Sequence, residues 1–231
     1  MSIFKFKHFE IIQETSSMKV GTDGVLLGSW VSCQKSKNIL DIGCGTGLIS
    51  LMLAQRNIKC NIIGVEIDQI SSQEAKLNVK YSNWRKRIQI INTSLQDFRT
   101  NMKFDLIVSN PPFFTPNNST RRRDIARHTN TLSFQELIAC AANLLIEGGG
   151  LSVILPIEFE LAFIEIAADY KLYCNRLCYV KGNPKTTIKR VMMEFSFSKD
   201  SYKEELLIIE KSRHQYTDQY ISLCKDFYLK M

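Results

Sequence analysis

Apolar and polar positions change period along this chain. Over the opening Phe4–Gln13 they alternate at first, as in a strand with one buried face. A turn-like stretch, Lys19–Gly24, leads into Val25–Trp30, which reads as a helix. From residue 37 onward, short continuous apolar runs alternate with segments whose apolar residues recur at helical spacing. This predicts strands over 37–42, 61–66, 87–93, 104–109 and 151–155, and helices over 47–56, 70–83, 133–146 and 157–169. Ser133 and Glu136 form a capping box ahead of an apolar run, and Gly148-Gly149-Gly150 is the expected stop. Two last strands, 171–181 and 187–198, read as a hairpin, followed by a helix near 217–229.

The alternation predicts an α/β fold: a seven-stranded, mostly parallel sheet with helices on both faces and one reversed edge strand. The chain of 231 residues, 45% hydrophobic, suffices for one core and leaves no interdomain linker or internal repeat. One domain over 1–231 is expected, with an N-terminal elaboration (1–30), a core (31–200) and a C-terminal helical tail (201–231). No run is long enough to span a bilayer, and the opening Met1-Ser2-Ile3-Phe4-Lys5 is not a signal peptide. Seven scattered cysteines, without a CxxC pair, imply neither a disulfide framework nor a metal site and suit a reducing cytoplasm. A net charge of +7 is compatible with a polyanionic partner without requiring one.

Candidate chemistry begins at Asp41-Ile42-Gly43-Cys44-Gly45-Thr46-Gly47, between the strand at 37–42 and the following helix. Glycines let backbone turn sharply and approach a ligand closely. The spacing is DxGxGxG rather than the dinucleotide fingerprint GxGxxG. Asp41 would repel a pyrophosphate but suits the ammonium and sulfonium of S-adenosylmethionine. Glu66, nineteen residues beyond Gly47 at a strand end, is placed to accept both hydroxyls of a ribose, and Asp68 to cap the next helix. After the strand at 87–93, Ser94 and Asp97 are both candidates for the cofactor's adenine.

The second constellation is Asn110-Pro111-Pro112-Phe113, at the carboxyl end of the apolar strand Phe104–Ser109. A planar NH2, whether of adenine or of glutamine, is a poor nucleophile because its lone pair is delocalised. The Asn110 side-chain oxygen and the Pro111 carbonyl offer two acceptors for its N–H bonds, favouring pyramidalisation as a methyl group arrives. Pro111 and Pro112 hold those acceptors still, and Phe113 offers a ring face for stacking.

With DIGCGTG, VEID and NPPF in that order, the chain resembles the Rossmann-like class I S-adenosylmethionine-dependent methyltransferases that act on exocyclic or amide nitrogen. Phe6–Phe9, Met18–Gly28, Asn110–Phe114, Ala126–His128 and Lys189–Val191 are similar to the bacterial YfiC-type tRNA (adenine-N6)-methyltransferases. The resemblance covers roughly residues 4–198 and implies methylation of adenine 37, beside the anticodon of a valine tRNA. It implies cofactor contacts from Asp41, Gly43, Gly45, Glu66 and the 94–97 loop, with Asn110 at the junction of cofactor and adenine. Thr22 and Asp23 would lie over the cofactor's methionine end. Relatives often carry an acid where this chain has Ser94.

The loop 115–128 holds Arg121, Arg122, Arg123 and Arg127, which beside the expected site would hold phosphates. Lys189 and Arg190, in the second basic stretch, extend that expected RNA surface, whereas Phe4, Phe6 and Phe9 read as core. His128 is not needed as a base, because the amine's proton can leave to water after transfer. Three rival readings stand beside tRNA: methylation of rRNA or DNA adenine, methylation of a release-factor glutamine, and a silent RNA-binding subunit. The oligomeric state is open, with a monomer as the default.

Overall fold

The computed structural model describes residues 2–16, 19–112 and 132–231. The chain opens with a hairpin, β1 (Ile3–Lys5) and β2 (Glu10–Ile12), and helix α1 (Thr22–Trp30). Then come β3 (Asn38–Ile42), α2 (Leu48–Arg56), β4 (Asn61–Glu66), α3 (Gln69–Tyr81), β5 (Ile88–Asn92) and β6 (Phe104–Ser109). Helix α4 (Phe134–Leu144), β7 (Leu145–Pro156), α5 (Glu160–Asp169), β8 (Tyr173–Lys181) and β9 (Ile188–Ser196) follow. The chain closes with β10 (Lys203–Ile208), the ribbon β11 (Glu210–Ser212) and β12 (Gln215–Tyr216), and α6 (Asp218–Cys224).

The main sheet has eight strands in the order β10-β8-β9-β7-β6-β3-β4-β5. All neighbours are parallel except that β9 runs against both β7 and β8. Two corrections follow. The sheet has eight strands rather than seven, and the reversed strand lies inside it, because β8 passes beyond β9 and β10 then adds to β8 at the edge. Residues 201–231 are likewise not all helix. The residues Lys203-Glu204-Glu205-Leu206-Leu207-Ile208 have weak strand propensity, yet pair with Arg176–Lys181.

Alternate strand residues face opposite sides, which explains the unbroken apolar runs of the buried strands. Ile39, Leu106 and Val108 join a core built with α1, α2, α3 and the N-terminal hairpin. Leu40, Ile42 and Ile107 join a second core with α4 and α5. Phe6 and Phe9 are buried in the first, as their spacing suggests. Gly148, Gly149 and Gly150 lie within β7, where pairing jumps from Phe104↔Leu145 to Leu106↔Gly150, and α4 has already ended at Leu144. Their bulge carries the extra residues that a continuous strand would have to extrude.

Helix α1 packs on α2 through Gly24 and Gly28, four residues apart on one face. A Cβ on Gly28 would fall 2.7 Å from Met52 Sδ, and one on Gly24 would fall 3.0 Å from Leu48 Cδ2. At its other end α1 is tied to the sheet edge. The Trp30 indole donates to Glu205 at 3.0 Å, and the Arg176 guanidinium lies over the Trp30 ring and bonds Glu205 and Glu194.

Candidate active site

A cleft of about 1600 Å³ opens at the carboxyl ends of β3, β4, β5 and β6. The strand order reverses between β3 and β6, and open α/β sheets bind ligands at such switch points. Gly43, Gly45 and Gly47 turn the chain out of β3 with φ of +68°, +55° and +85°, a region that side-chain-bearing residues seldom occupy. A Cβ at Gly43 or Gly45 would meet nothing within 4 Å, so the loop borders open space. Its shape is held by the Val65 carbonyl, which accepts from Gly43 N at 2.8 Å and Cys44 N at 3.1 Å.

Glu66, at the end of β4, is buried and lines the cleft. One carboxylate oxygen accepts from Gly45 N and the other from Asp68 N, each at 2.8 Å. Each oxygen keeps a second lone pair for a ligand. Asp68 caps α3 by accepting from Ser71 N at 2.7 Å, and this bond holds its carboxyl below the usual range.

Asp41 is set behind the loop, not in the cleft wall. It is 1% exposed, accepts from Ser50 Oγ of α2 at 2.7 Å, and leaves its other oxygen without a partner among the described residues. Burial pushes its pKa up to about 7, against the pull of the Ser50 bonds. The sequence places an acid here because of its spacing. In the structure its hydrogen bond goes to α2.

Ser94 lines the cleft and Asp97 does not, although the two are joined by a bond of 2.6 Å from Ser94 Oγ to Asp97 Oδ2. Gln96, Ser133, Gln135 and Glu136 complete this polar wall. Gln96 donates to Glu136 at 2.9 Å, which couples the capping box of α4 to the cleft. The pattern of Ser133 and Glu136 announces only a helix start, so their second role is invisible in sequence. Ile67 is likewise missed by spacing, yet it is 70% exposed at the cleft, an apolar face beside Glu66.

Asn110 and Pro112 also line the cleft, and Pro111 between them is buried. Just before them, Ser109 Oγ donates to the Ile42 carbonyl at 2.9 Å, pinning the end of β6 to the start of the glycine loop. Phe113, Arg121, Arg122, Arg123 and Arg127 lie outside the described residues.

The lip of the cleft comes from Lys19–Gly24, which includes Thr22 and Asp23. Helix α3 anchors the segment leading to it. The Asn78 side chain accepts from Ile12 N and donates to the carbonyls of Ile12 and Thr46, while Glu74 accepts from Thr15 N and Oγ1. Asn78 thus grips both β2 and the glycine loop. Asp23 accepts from Arg190 Nε at 2.7 Å. Arg190 therefore spends a guanidinium N–H on the lip, and exposed Lys189 stands beside it.

Among the described residues no group of His, Cys, Asp and Glu could hold a metal ion, and no helix is long and apolar enough to cross a membrane.

A glycine loop, a strand-end acid and an Asn-Pro-Pro wall around one cleft define a methyltransferase, and the model of the Methyltransferase small domain matches residues 16–162. An Agrobacterium tumefaciens protein described as a predicted O-methyltransferase shares the fold, with a TM-score of 0.71 at 18% identity over 89% of this chain and 96% of that one. The chain is 43% identical to the tRNA1(Val) (adenine(37)-N6)-methyltransferase of Bacteroides fragilis, over 99% of this chain and 98% of the relative. It is 44% identical to the protein of the same name from Flavobacterium psychrophilum, over 99% and 100%. The chain belongs to the tRNA1(Val) (adenine(37)-N6)-methyltransferase family.

Proposed function

We propose that this enzyme methylates the exocyclic N6 of adenine 37 in a valine tRNA, with S-adenosylmethionine as donor, in the cytoplasm and as one catalytic domain. The observation that carries the reading is one cleft lined together by Gly43, Gly45 and Glu66 and by Asn110 and Pro112. The full-length relatives supply the substrate by name. The donor brings a methyl group on a sulfonium, which needs no general base to be activated.

The cleft's own groups fit that donor. Glu66 keeps lone pairs for ribose hydroxyls, and Ile67 offers an apolar face to adenine, with Ser94 and Gln96 at the polar rim. Thr22 and Asp23 line the same cleft as Gly43 and Gly45 and would hold the donor's amino-acid group. The Asn110 side-chain oxygen and the Pro111 carbonyl would accept the two N–H bonds of the target amine and draw its nitrogen toward a pyramidal form. Ser109 fixes those acceptors against the loop that holds the donor, so rate comes from position and electrostatics. Phe113 and the arginines of 121–127 would hold the flipped base and its phosphates.

Parallel incubation with labelled donor tests the reading: unmodified tRNA, rRNA, duplex DNA and a release factor are offered separately. Label in tRNA alone is expected. Label in another acceptor, with tRNA blank, would replace the substrate.

A further inference from the structure

We propose that the exposed face of α3 and the turn after it form a second docking surface for the tRNA, one helix length from the cleft. The inference rests on the tRNA reading above and adds where the body of that RNA lies. Helix α3 begins at the cleft, where Asp68 and Ser71 line the wall, and runs back to the amino ends of the strands, before β5. Its 13 residues span about 20 Å.

The outward side of α3 carries Ile70, Gln73, Lys76, Leu77, Lys80 and Tyr81, at spacings of three, four and seven that keep them on one face. None is a carboxylate. The helix's one acid, Glu74, is turned inward onto Thr15. Arg85 and Lys86 follow in the turn, both exposed. Lys76, Lys80, Arg85 and Lys86 have no ion-pair partner among the described residues, and the nearby Glu10 is taken by Lys5 at 3.1 Å. Arg87 is not part of the set, since it donates to the carbonyls of Ala54, Asn57 and Cys60.

Cations interleaved with a flat exposed ring suit a polyanion whose bases or sugars can also be touched. Tyr81 is 72% exposed, and Lys80 stands 5.9 Å from its ring centre. A partner covering only the apolar Ile70, Leu77 and Tyr81 would leave four cations to be desolvated unpaired, a cost that a phosphate backbone removes. Structured RNA is recognised largely through its backbone and shape, and a row of cations without acids fits that recognition.

The test uses the quadruple variant Lys76→Gln, Lys80→Gln, Arg85→Gln and Lys86→Gln, all at exposed positions outside the cleft. Its affinity for unmodified valine tRNA is measured across a salt series beside the wild type. Cofactor affinity and the urea midpoint serve as controls. The expected result is tRNA binding weakened about tenfold or more, with the slope of log K against log salt reduced by about three. Methylation of an anticodon loop closed by two base pairs, too short to reach the far end of α3, should keep its kcat/KM. Single changes at Lys80 or Arg85 should each lower the slope by about one, which covers a quadruple variant that fails to fold. Wild-type affinity and slope in the variants, with tRNA still methylated, would overturn this surface alone. A wild-type enzyme that neither binds nor methylates tRNA would overturn the substrate reading and this inference with it.

Discussion

Asn110 and Asp41 are both polar residues at strand ends, yet the structure gives them different work. Asn110 lines the cleft, and in the proposed reaction its oxygen acts as the amine changes shape. Asn110→Ala should therefore lower turnover about 10²-fold or more while cofactor affinity stays nearly unchanged. Single-turnover rates and a calorimetric Kd for the cofactor check this, and a parallel loss of both would remove Asn110 from its role. For Asp41 the expected effect is on stability. Its folded pKa, about 7, lies above its ordinary value because burial opposes the charge. Between those values the folded chain holds a proton that the unfolded chain has released. The group's stabilising effect is thus complete at low pH and is lost as pH rises toward 7. Asp41→Asn should flatten the fall in urea midpoint between about pH 4 and pH 7. An unchanged fall would mean that Asp41 does not carry it. Spacing found both residues but could not separate them, because direction depends on neighbours such as Ser50 and Ser109 that no motif marks.

Elements divide in the same way. The buried strands were legible because residues such as Ile39 and Leu40 serve opposite cores, which forces continuous apolar runs. Strand β10 was not legible, since Glu205 is held there by Trp30 and Arg176, contacts some thirty or more residues distant in sequence. Burial raises the Glu205 pKa, but donors from Lys203, Trp30 and Arg176 bring it down to about 2. The N-terminal strand was read as one piece, whereas Phe6 to Phe9 turn it into a hairpin. Helix α1 depends on Gly28 in a way its weak amphipathic pattern hides. Gly28→Val should destabilise the fold by about 1–3 kcal/mol, although glycine in a helix interior is ordinarily unfavourable. Urea unfolding measures it, and a gain in midpoint would show that Met52 yields space the packing denies.

At the scale of the whole molecule, the cleft is assembled from segments that lie far apart in sequence. The segment leading to the lip at 19–24 is anchored by α3 through Glu74 and Asn78, and the lip is braced by Arg190 of β9, while the glycine loop and Asn110 follow the neighbouring strands β3 and β6 at the switch point. The sequence motifs marked the glycine loop and Asn110. The polar rim of Gln96 and Glu136 and the exposed Ile67 needed the fold to bring them together. These parts have one joint purpose in the account: to present a single adenine amine to a methyl donor. The most direct test is incubation with S-adenosylmethionine and an unmodified valine tRNA transcript, followed by nuclease mapping and mass spectrometry of the anticodon loop. One methyl group on adenine 37, absent when that base is changed to guanine, is the predicted result. Methylation that persists after the change, or none on the wild-type transcript, would contradict it.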